Sequence, residues 1–296
     1  GGGILSDPFP GQNPNQAIGG GRLAKGTSPH TPDEIAVLLI SAAVRLIGTP
    51  ADDVIALRNA AQQTYDDFIH RGLSQTKAGI ATGKQIEGYA FSTLEDEDLP
   101  WREVLPASTK EVRQLVDRIV DACFIVIVYL AGLRISEILN LTPGCITEMP
   151  SADGSESFSY IEGRIFKTAP HKEGAPHLWI APEPVVRAIM VMEQISEPYR
   201  RLSRREELFQ TMSSSGLIGP KAAIATPTTV TWNNRLSRLF APFIHLPCYK
   251  GEAWRISSHQ GRKTFARFVG KRDRTGLHAL QKHFGHITRV MTDEGY

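Results

Sequence analysis

The chain has 296 residues, 41% hydrophobic and 22% charged, so it can bury a sizeable core and is expected to form one full domain with a smaller piece beside it. The formal net charge of +2 is too small to indicate a nucleic-acid partner by itself, so that indication must come from how the charges are distributed. Cys123, Cys145 and Cys248 lack disulfide or metal spacing, which excludes a cysteine scaffold and fits a reducing cytoplasm.

The first third of the chain contains helix signals between glycine-rich stretches. Residues 1–30 hold glycine triplets and prolines and are interpreted as a flexible linker or expression remnant. Thr-Pro dipeptides begin at Thr31 and Thr49, and each is followed by an acidic residue. They predict helices that run to about Ile47 and Ile69. A glycine-rich and then acidic run from 79 to 101 predicts a surface loop and not a metal site. Together they predict a small helical accessory segment with a boundary loop over residues 31–105.

A strongly apolar helix follows the capping box Ser108-Thr109-Lys110-Glu111. Its apolar residues, from Val112 to Ile127, predict burial on nearly every side, and the run to Leu133 is too short to span a bilayer. No charged-then-apolar leader opens the chain, so neither secretion nor membrane insertion is expected. The helix delivers Arg134, and Glu137, three residues later, lies within reach of the same face to orient an arginine or histidine, although it fits a surface ion pair equally well.

The second half of the chain predicts one β region between helices. Residues 157–182 combine β-forming segments with glycine and proline turn signals, which predicts a hairpin. Helices are predicted at 184–194, at 201–210 and at 230–240, the last with Trp232, Leu236 and Leu239 on its buried side. The predicted fold class is therefore mainly α with a small antiparallel β-hairpin or sheet, an α+β protein.

Basic residues are concentrated near the C-terminal end. Between residues 250 and 289, ten lysines and arginines face only Glu252 and Asp273. Interleaved aromatic residues favour a phosphate-binding surface over a merely solvated helix. His259 and Arg262 are three residues apart, so a helix here would place a proton carrier beside a bidentate phosphate ligand. His283 is expected on a helix surface.

Four motifs in order carry a family resemblance. They are Gly-Leu-Arg-Ile-Ser-Glu at 132–137, His-x-x-Arg-x-Thr-Phe-Ala at 259–266, Phe-Gly-His at 284–286, and Tyr296 ten residues later. In this order they resemble the tyrosine recombinase (phage integrase) family. The resemblance covers about residues 106–296 and implies a tyrosine recombinase-like catalytic domain there. Gly261 departs from the pattern, because a bulky apolar residue is usual at that position.

The resemblance also implies roles for particular residues. It implies a site-specific recombinase or integrase of a mobile element, which cleaves and rejoins DNA through a covalent 3′-phosphotyrosine. The matching catalytic residues are Arg134, Lys167, His259, Arg262, His286 and Tyr296, with Glu137 in support. Lys172 remains an alternative catalytic lysine nearer the tip of the hairpin. The candidate DNA-binding residues are Lys172, Asn233, Arg235, Arg238 and Lys263. The chemistry needs no metal or nucleotide cofactor, because the ester stores the bond energy.

Two alternative functions remain open at this point. A type IB topoisomerase would use a similar set of residues to relax one duplex, and a non-catalytic DNA-binding protein would only track phosphates. The expected partner is double-stranded DNA, with self-association into a tetramer on DNA and no membrane. The expected location is the cytoplasm, at the nucleoid when DNA is bound. The short helical segment suggests a fragment of a longer integrase, and a chain ending at Tyr296 is expected to be monomeric without DNA and to cleave slowly.

Overall fold

The computed structural model of the chain describes residues 29–95, 97–151, 153–167, 169, 171–213, 216–272 and 283–284. Its helices are α1 (Asp33–Ile47), α2 (Thr49–His70), α3 (Gln75–Ile86), α4 (Thr109–Leu130), α5 (Ile135–Ile138), α6 (Glu183–Ser203), α7 (Thr229–Arg235), α8 (Ala241–Phe243) and α9 (Ser258–Arg272). Its strands are β1 (Ile146–Pro150), β2 (Ser157–Ile165), β3 (Ala175–Ile180), β4 (Thr211–Met212) and β5 (Ile224–Ala225). The predicted α+β class is confirmed.

Helix α4 lies at the centre of the core. The side chain of Ser108 caps its start by accepting a hydrogen bond from the backbone N–H of Glu111 at 3.3 Å. Helices α1, α2, α6 and α9 all pack on α4, so the helix is buried on nearly every side as predicted. Beyond its end the chain turns at Gly132, where φ is +67° and a Cβ atom would lie 2.6 Å from the ring of Phe265. This glycine is therefore required where the chain leaves the core towards Arg134.

The N-terminal helices α1 and α2 follow the prediction, but the predicted loop from residue 79 is wrong as far as residue 86. Helix α3 occupies this stretch and begins at a cap in which the Ser74 side chain accepts a hydrogen bond from the backbone N–H of Lys77. Gly83 allows this helix to pack closely against the chain at Ala107, because a Cβ atom at Gly83 would lie 3.2 Å from the Ala107 carbonyl oxygen. Helices α1 to α3 share their hydrophobic core with α4.

The predicted hairpin is present as β2 and β3, and β1 adds a third antiparallel strand in the order β1-β2-β3. The register pairs Tyr160 with Ile180 and Gly163 with His177. Trp179 is fully buried, and its ring lies 3.0 Å from where a Cβ atom of Gly163 would be. The loop between β2 and β3 carries both candidate lysines, so the sheet determines where that loop projects.

Helix α6 is a single helix from Glu183 to Ser203, so the prediction of a separate helix at 201–210 is wrong. The helix continues through Pro198, which cannot donate a hydrogen bond to the carbonyl of Gln194. Arg58 of α2 supplies the missing donor, with Nη2 3.3 Å from the Gln194 oxygen, and its Nη1 also donates to the Ile195 oxygen at 2.8 Å. A residue distant in sequence therefore stabilises the helix past its proline.

Helix α7 runs into a π-helical turn at 236–240, in which the Ala241 N–H donates to the Leu236 carbonyl. Trp232, Leu236 and Phe240 are buried, whereas Leu239 is 55% exposed. In this wider turn the buried residues Trp232, Leu236 and Phe240 are spaced four apart, so Leu239 does not lie on the buried face. The prediction that Leu239 is buried is therefore wrong, and Phe240 takes its place.

Within the described residues, no single helix combines the length and apolar content that crossing a bilayer requires. Helices α1 and α2, which are bent by 49° at their junction, meet the criterion of length and composition only when they are taken together. Apolar residues of both helices, such as Leu39 and Val54, are buried in the core shared with α4.

Candidate active site

The start of α5 holds Arg134 against Glu137. The backbone N–H of Arg134 donates to Glu137 Oε2 at 2.6 Å, and the Arg134 Nη1 donates to Glu137 Oε1 at 2.7 Å. Glu137 is 1% exposed, and the Arg134 side chain is 17% exposed. One carboxylate thus binds both the backbone and the guanidinium of Arg134, which fixes the guanidinium relative to the start of the helix.

Arg262 reaches the same carboxylate from α9. Its side chain is almost completely buried, and its Nη1 lies 3.5 Å from Glu137 Oε2 and donates to the Gly132 carbonyl oxygen at 2.7 Å. Its guanidinium carbon lies 3.7 Å from the centre of the Phe284 ring, and its Nη2 donates to the Phe284 carbonyl oxygen at 3.4 Å. The structure therefore brings Arg134 and Arg262, far apart in sequence, to one buried carboxylate.

His259 lies in the first turn of α9, one turn before Arg262. The helix begins at Ser258, as the spacing of the pair required, and His259 is exposed at its start. Desolvation of the ring is the main cause that lowers the pKa of His259, and positive charges around it lower the pKa further. Those charges, in decreasing order of effect, belong to Lys263, Arg262, Lys167 and Arg134. The predicted catalytic cations thus act on one imidazole, which favours its neutral form.

The loop between β2 and β3 is held by Arg164, which the sequence did not single out. Its Nε donates to the carbonyl oxygen of Glu173 at 2.7 Å, and its Nη2 donates to that of Gly174 at 3.0 Å. Lys167 is exposed in a turn just after β2, and Lys172 is exposed near the other end of the loop. The charge of Lys167 is one of those that lower the pKa of His259, and Lys167 and Lys172 both stay candidates for the lysine of the site.

The candidate DNA-contacting residues of α7 and its π-helical turn point in different directions. Asn233 accepts a hydrogen bond from the backbone N–H of Ser258 and so supports the start of α9. Arg235 is turned inward, where its Nε donates to Asp121 Oδ1 at 2.5 Å. Arg238 is exposed, and Lys263 on α9 is half-buried beside His259. Of these residues, Arg238 and Lys263 are accessible to solvent, whereas Arg235 is engaged in the core.

Two predicted residues, His286 and Tyr296, lie outside the described residues. The expectation that His283 lies on a helix surface is wrong. Its ring is half-buried and turned inward, with its Nε2 2.7 Å from the Ala131 carbonyl oxygen. His177 of β3 is a second histidine at the site, with its Nε2 2.9 Å from the His283 carbonyl oxygen. Both partners are distant backbone carbonyls, so no local sequence pattern could have identified either contact.

The arrangement suits a tetrahedral oxyanion. Guanidinium groups bind phosphate oxygens in pairs, and a neutral imidazole beside them can carry a proton. Within the part of the chain that the structure describes, no three His, Cys, Asp or Glu side chains are grouped as metal ligands would be.

Comparison with known proteins gave matches only among solved structures. No model of a protein family matches the sequence, and no curated protein matches it. The XerH site-specific recombinase bound to its difH substrate is similar at 14% identity and a TM-score of 0.40, over 76% of this chain and 62% of that one. The Tn1549 transposon integrase in complex with circular intermediate DNA is similar at 18% identity and a TM-score of 0.38, over 80% of each chain.

The XerA recombinase is similar at 16% identity and a TM-score of 0.35, over 88% of this chain and 93% of that one. Of the XerH chain, by contrast, this chain covers 62%, which is less than two thirds of its length. The likeness to all of these structures is distant, so function has to be inferred from the motifs and contacts of this chain itself.

Proposed function

We propose that the protein is a site-specific DNA strand transferase of the tyrosine recombinase type. The observation that carries this proposal is the convergence of Arg134 and Arg262 on the buried carboxylate of Glu137, with His259 one turn away. These residues belong to the ordered motifs that end in Tyr296, the proposed nucleophile. The substrate is double-stranded DNA, which the protein binds as a tetramer in the cytoplasm, and the enzyme serves a mobile element.

The scissile phosphate is bound by the guanidinium groups of Arg134 and Arg262. Attack on phosphorus forms a bond from the Tyr296 hydroxyl oxygen and breaks the bond to the 5′ oxygen, leaving a 3′-phosphotyrosine. Negative charge on the non-bridging oxygens grows in the transition state, so the two cations stabilise it more than they stabilise the bound substrate. Glu137 keeps the two guanidinium groups in place before the substrate arrives.

Two proton transfers accompany this step. The tyrosine hydroxyl loses its proton to His259, which can accept it because desolvation and, to a smaller extent, nearby cations lower the pKa of the imidazole and favour its neutral form. The departing 5′ oxygen receives a proton from Lys167, while His286 donates a hydrogen bond to the phosphate. In the reverse direction, a 5′ hydroxyl from another strand attacks the phosphotyrosine, and no nucleotide cofactor is consumed.

Covalent trapping on nicked suicide DNA tests the proposal. Loss of a short 5′ fragment prevents rejoining, so the wild-type protein should accumulate as a slower band in denaturing electrophoresis. The Tyr296→Phe variant should bind the same DNA and form no adduct, because only the attacking hydroxyl is lost. An adduct in the variant would place the nucleophile elsewhere. DNA binding without any wild-type adduct would favour the non-catalytic DNA-binding protein.

A sulfur in the 5′-bridging position identifies the general acid. This leaving group needs no proton, so the substrate should restore cleavage to Lys167→Ala but not to Arg262→Ala. Rescue of Lys172→Ala instead would move the role to the other lysine of the loop. Joining of strands from two different duplexes separates a recombinase from a type IB topoisomerase, which would only relax supercoiled DNA.

A further inference from the structure

We propose that His283 and His177 are positioning residues of this site, which hold the turn before Arg134, the Phe284 segment and strand β3 together through hydrogen bonds to backbone carbonyls. This inference rests on the proposed function for its activity measurements, although its contacts are independent of that function. Neither histidine belongs to the motifs that carry the family resemblance.

The turn between α4 and α5 is bound at two consecutive carbonyl groups. The Ala131 oxygen accepts a hydrogen bond from His283 Nε2 at 2.7 Å, and the Gly132 oxygen accepts one from Arg262 Nη1 at 2.7 Å. Arg134 follows two residues later. A movement of this turn would therefore change the separation between the two guanidinium groups that bind the phosphate.

His283 is itself held by the sheet. His177 Nε2 donates to the His283 carbonyl oxygen at 2.9 Å, and the His177 ring packs edge-on against Trp179 with centroids 4.7 Å apart. In the sheet His177 pairs with Gly163 of β2, the strand that leads into the loop of Lys167. The two histidines therefore connect the loop of the proposed general acid to the turn of the phosphate-binding arginine.

The contacts determine the chemical form of both rings. A carbonyl oxygen only accepts hydrogen bonds, so each Nε2 carries a proton. The pKa of His283 is lowered to about 4, mainly by burial of the ring, while the hydrogen bond to Ala131 raises it and the charges of Arg262 and His177 add smaller lowering effects. At neutral pH His283 is therefore an uncharged donor, and it adds no further positive charge beside Arg262.

A positioning role differs from proton transfer in the atoms that it uses. Both Nε2–H groups are bound to backbone carbonyls, and the His283 ring also contacts those of Phe265 and Phe284 at centroid distances of 5.1 and 5.6 Å. These contacts fix a donor within a packed ring environment. Loss of either histidine should therefore change the positions of the Arg134 and Arg262 guanidinium groups, and the basicity of the imidazole should not matter.

Replacement of His283 by phenylalanine and by glutamine separates the hydrogen bond from the packing. His283→Phe keeps the ring but removes the donor, and we expect about a 10- to 100-fold lower rate of single-turnover cleavage, because small misplacements of catalytic groups have effects of this size. DNA affinity should change by less than about 3-fold, since phosphate contacts elsewhere dominate binding. His283→Gln restores a donor and should recover most of the rate.

The same pair of changes at His177 provides a second test, because His177 is only half-buried and its variants are expected to fold. The control is His70→Phe, an exposed histidine at the end of α2, which should cleave as the wild type does. Equal losses in the Phe and Gln variants at both positions, or wild-type rates in both Phe variants, would overturn the proposal.

A measurement without cleavage keeps the two proposals distinguishable. The Nε–Hε signals of Arg134 and Arg262 should shift in ¹⁵N NMR spectra when inorganic phosphate is added to the wild type. In His283→Phe and His177→Phe these signals should move in the free protein and respond to phosphate only weakly, whereas the Gln variants should resemble the wild type. If the wild type forms no DNA adduct but shows this pattern, the proposed function fails and the positioning role stands. Unchanged arginine signals in both Phe variants would refute the positioning role.

Discussion

At Gly261, α9 packs closely against α4. A Cβ atom at this position would lie 2.1 Å from Val128 Cγ1 and 2.8 Å from the ring of Tyr129. The bulky apolar residue that is usual here in the resembled family has no room in this chain. Because Arg262 follows Gly261 directly, the close approach of the helices determines how deeply the guanidinium is buried.

Gly261→Ala is expected to lower the free energy of unfolding by about 3 kcal/mol, the upper part of the range for overpacked cores. Gly270→Ala in the same helix is the matched control, because its added methyl group meets nothing within 4 Å and should stabilise the helix by about 0.5–1 kcal/mol. Urea unfolding measures both. If Val128→Ala in the Gly261→Ala background recovers none of the loss, the clash is not the cause.

At the scale of elements, α6 depends on Arg58 for its continuation through Pro198. Arg58→Leu should lower the free energy of unfolding by about 3 kcal/mol, because it removes the hydrogen bonds to the Gln194 and Ile195 carbonyls and leaves that of Gln194 without a donor. Adding Pro198→Ala should recover about 1 kcal/mol or more, since an N–H at 198 can then donate to Gln194. Urea unfolding curves for the three proteins measure this.

Arg45→Leu provides the control, because Arg45 pairs with Glu97 on the surface with 44% of its side chain exposed. Such a pair contributes less than about 1 kcal/mol. A loss in Arg58→Leu no larger than that in Arg45→Leu, or no recovery with Pro198→Ala, would contradict the role given to Arg58.

Elements with local signals were predictable from the sequence, and elements that depend on distant partners were not. Capping and periodicity predicted α1, α2 and α4, and β-forming segments with turn signals predicted the hairpin of β2 and β3. The continuation of α6 failed as a prediction because the donor that replaces the N–H lost at Pro198 comes from α2. Helix α3 was missed because its glycines allow close packing against the chain before α4, which resembles a loop in composition.

The candidate site divides in the same way. Arg134, Glu137 and Arg262 were identified because they lie in motifs, and the structure adds that both arginines contact the Glu137 carboxylate. His177 and His283 were missed because they bind backbone carbonyls, 106 and 152 residues away, and a carbonyl carries no side-chain signature. The inward turn of Arg235 follows from Asp121, a residue on another helix whose burial no local pattern revealed.

At the scale of the whole molecule, two buried groups affect stability in opposite directions between about pH 4 and 6.5. Burial raises the pKa of Asp121 from 3.8 to about 6, so this group favours the folded state at low pH and loses that effect as pH rises through 6. Burial lowers the pKa of His283 from 6.5 to about 4, so its contribution is present above 6.5 and is lost as pH falls through 4. The two effects partly cancel.

Asp121→Asn should reveal the contribution of His283. The variant will be less stable overall, because Arg235 loses a charged partner, but its stability should rise more steeply between pH 4.5 and 6.5 than that of the wild type. Urea unfolding at pH 4.5, 5.5 and 6.5 gives the slopes. Asp98→Asn, an exposed carboxylate, serves as the control and should run parallel to the wild type. Parallel curves for Asp121→Asn would show that Asp121 binds no extra proton in the folded state.

The turn before Arg134 is bound by residues that are synthesised much later, and this has a consequence while the protein is being made. Its carbonyls are bound by Arg262, 130 residues beyond Gly132, and by His283, 152 residues beyond Ala131. A ribosome adding about 5–20 residues per second needs roughly 8–30 s to make that stretch. Throughout this interval the nascent chain carries Arg134 and Glu137 without their second cation. The proposed cleavage centre therefore stays incomplete while the growing chain is close to other nucleic acids, and it assembles only when α9 folds onto α4.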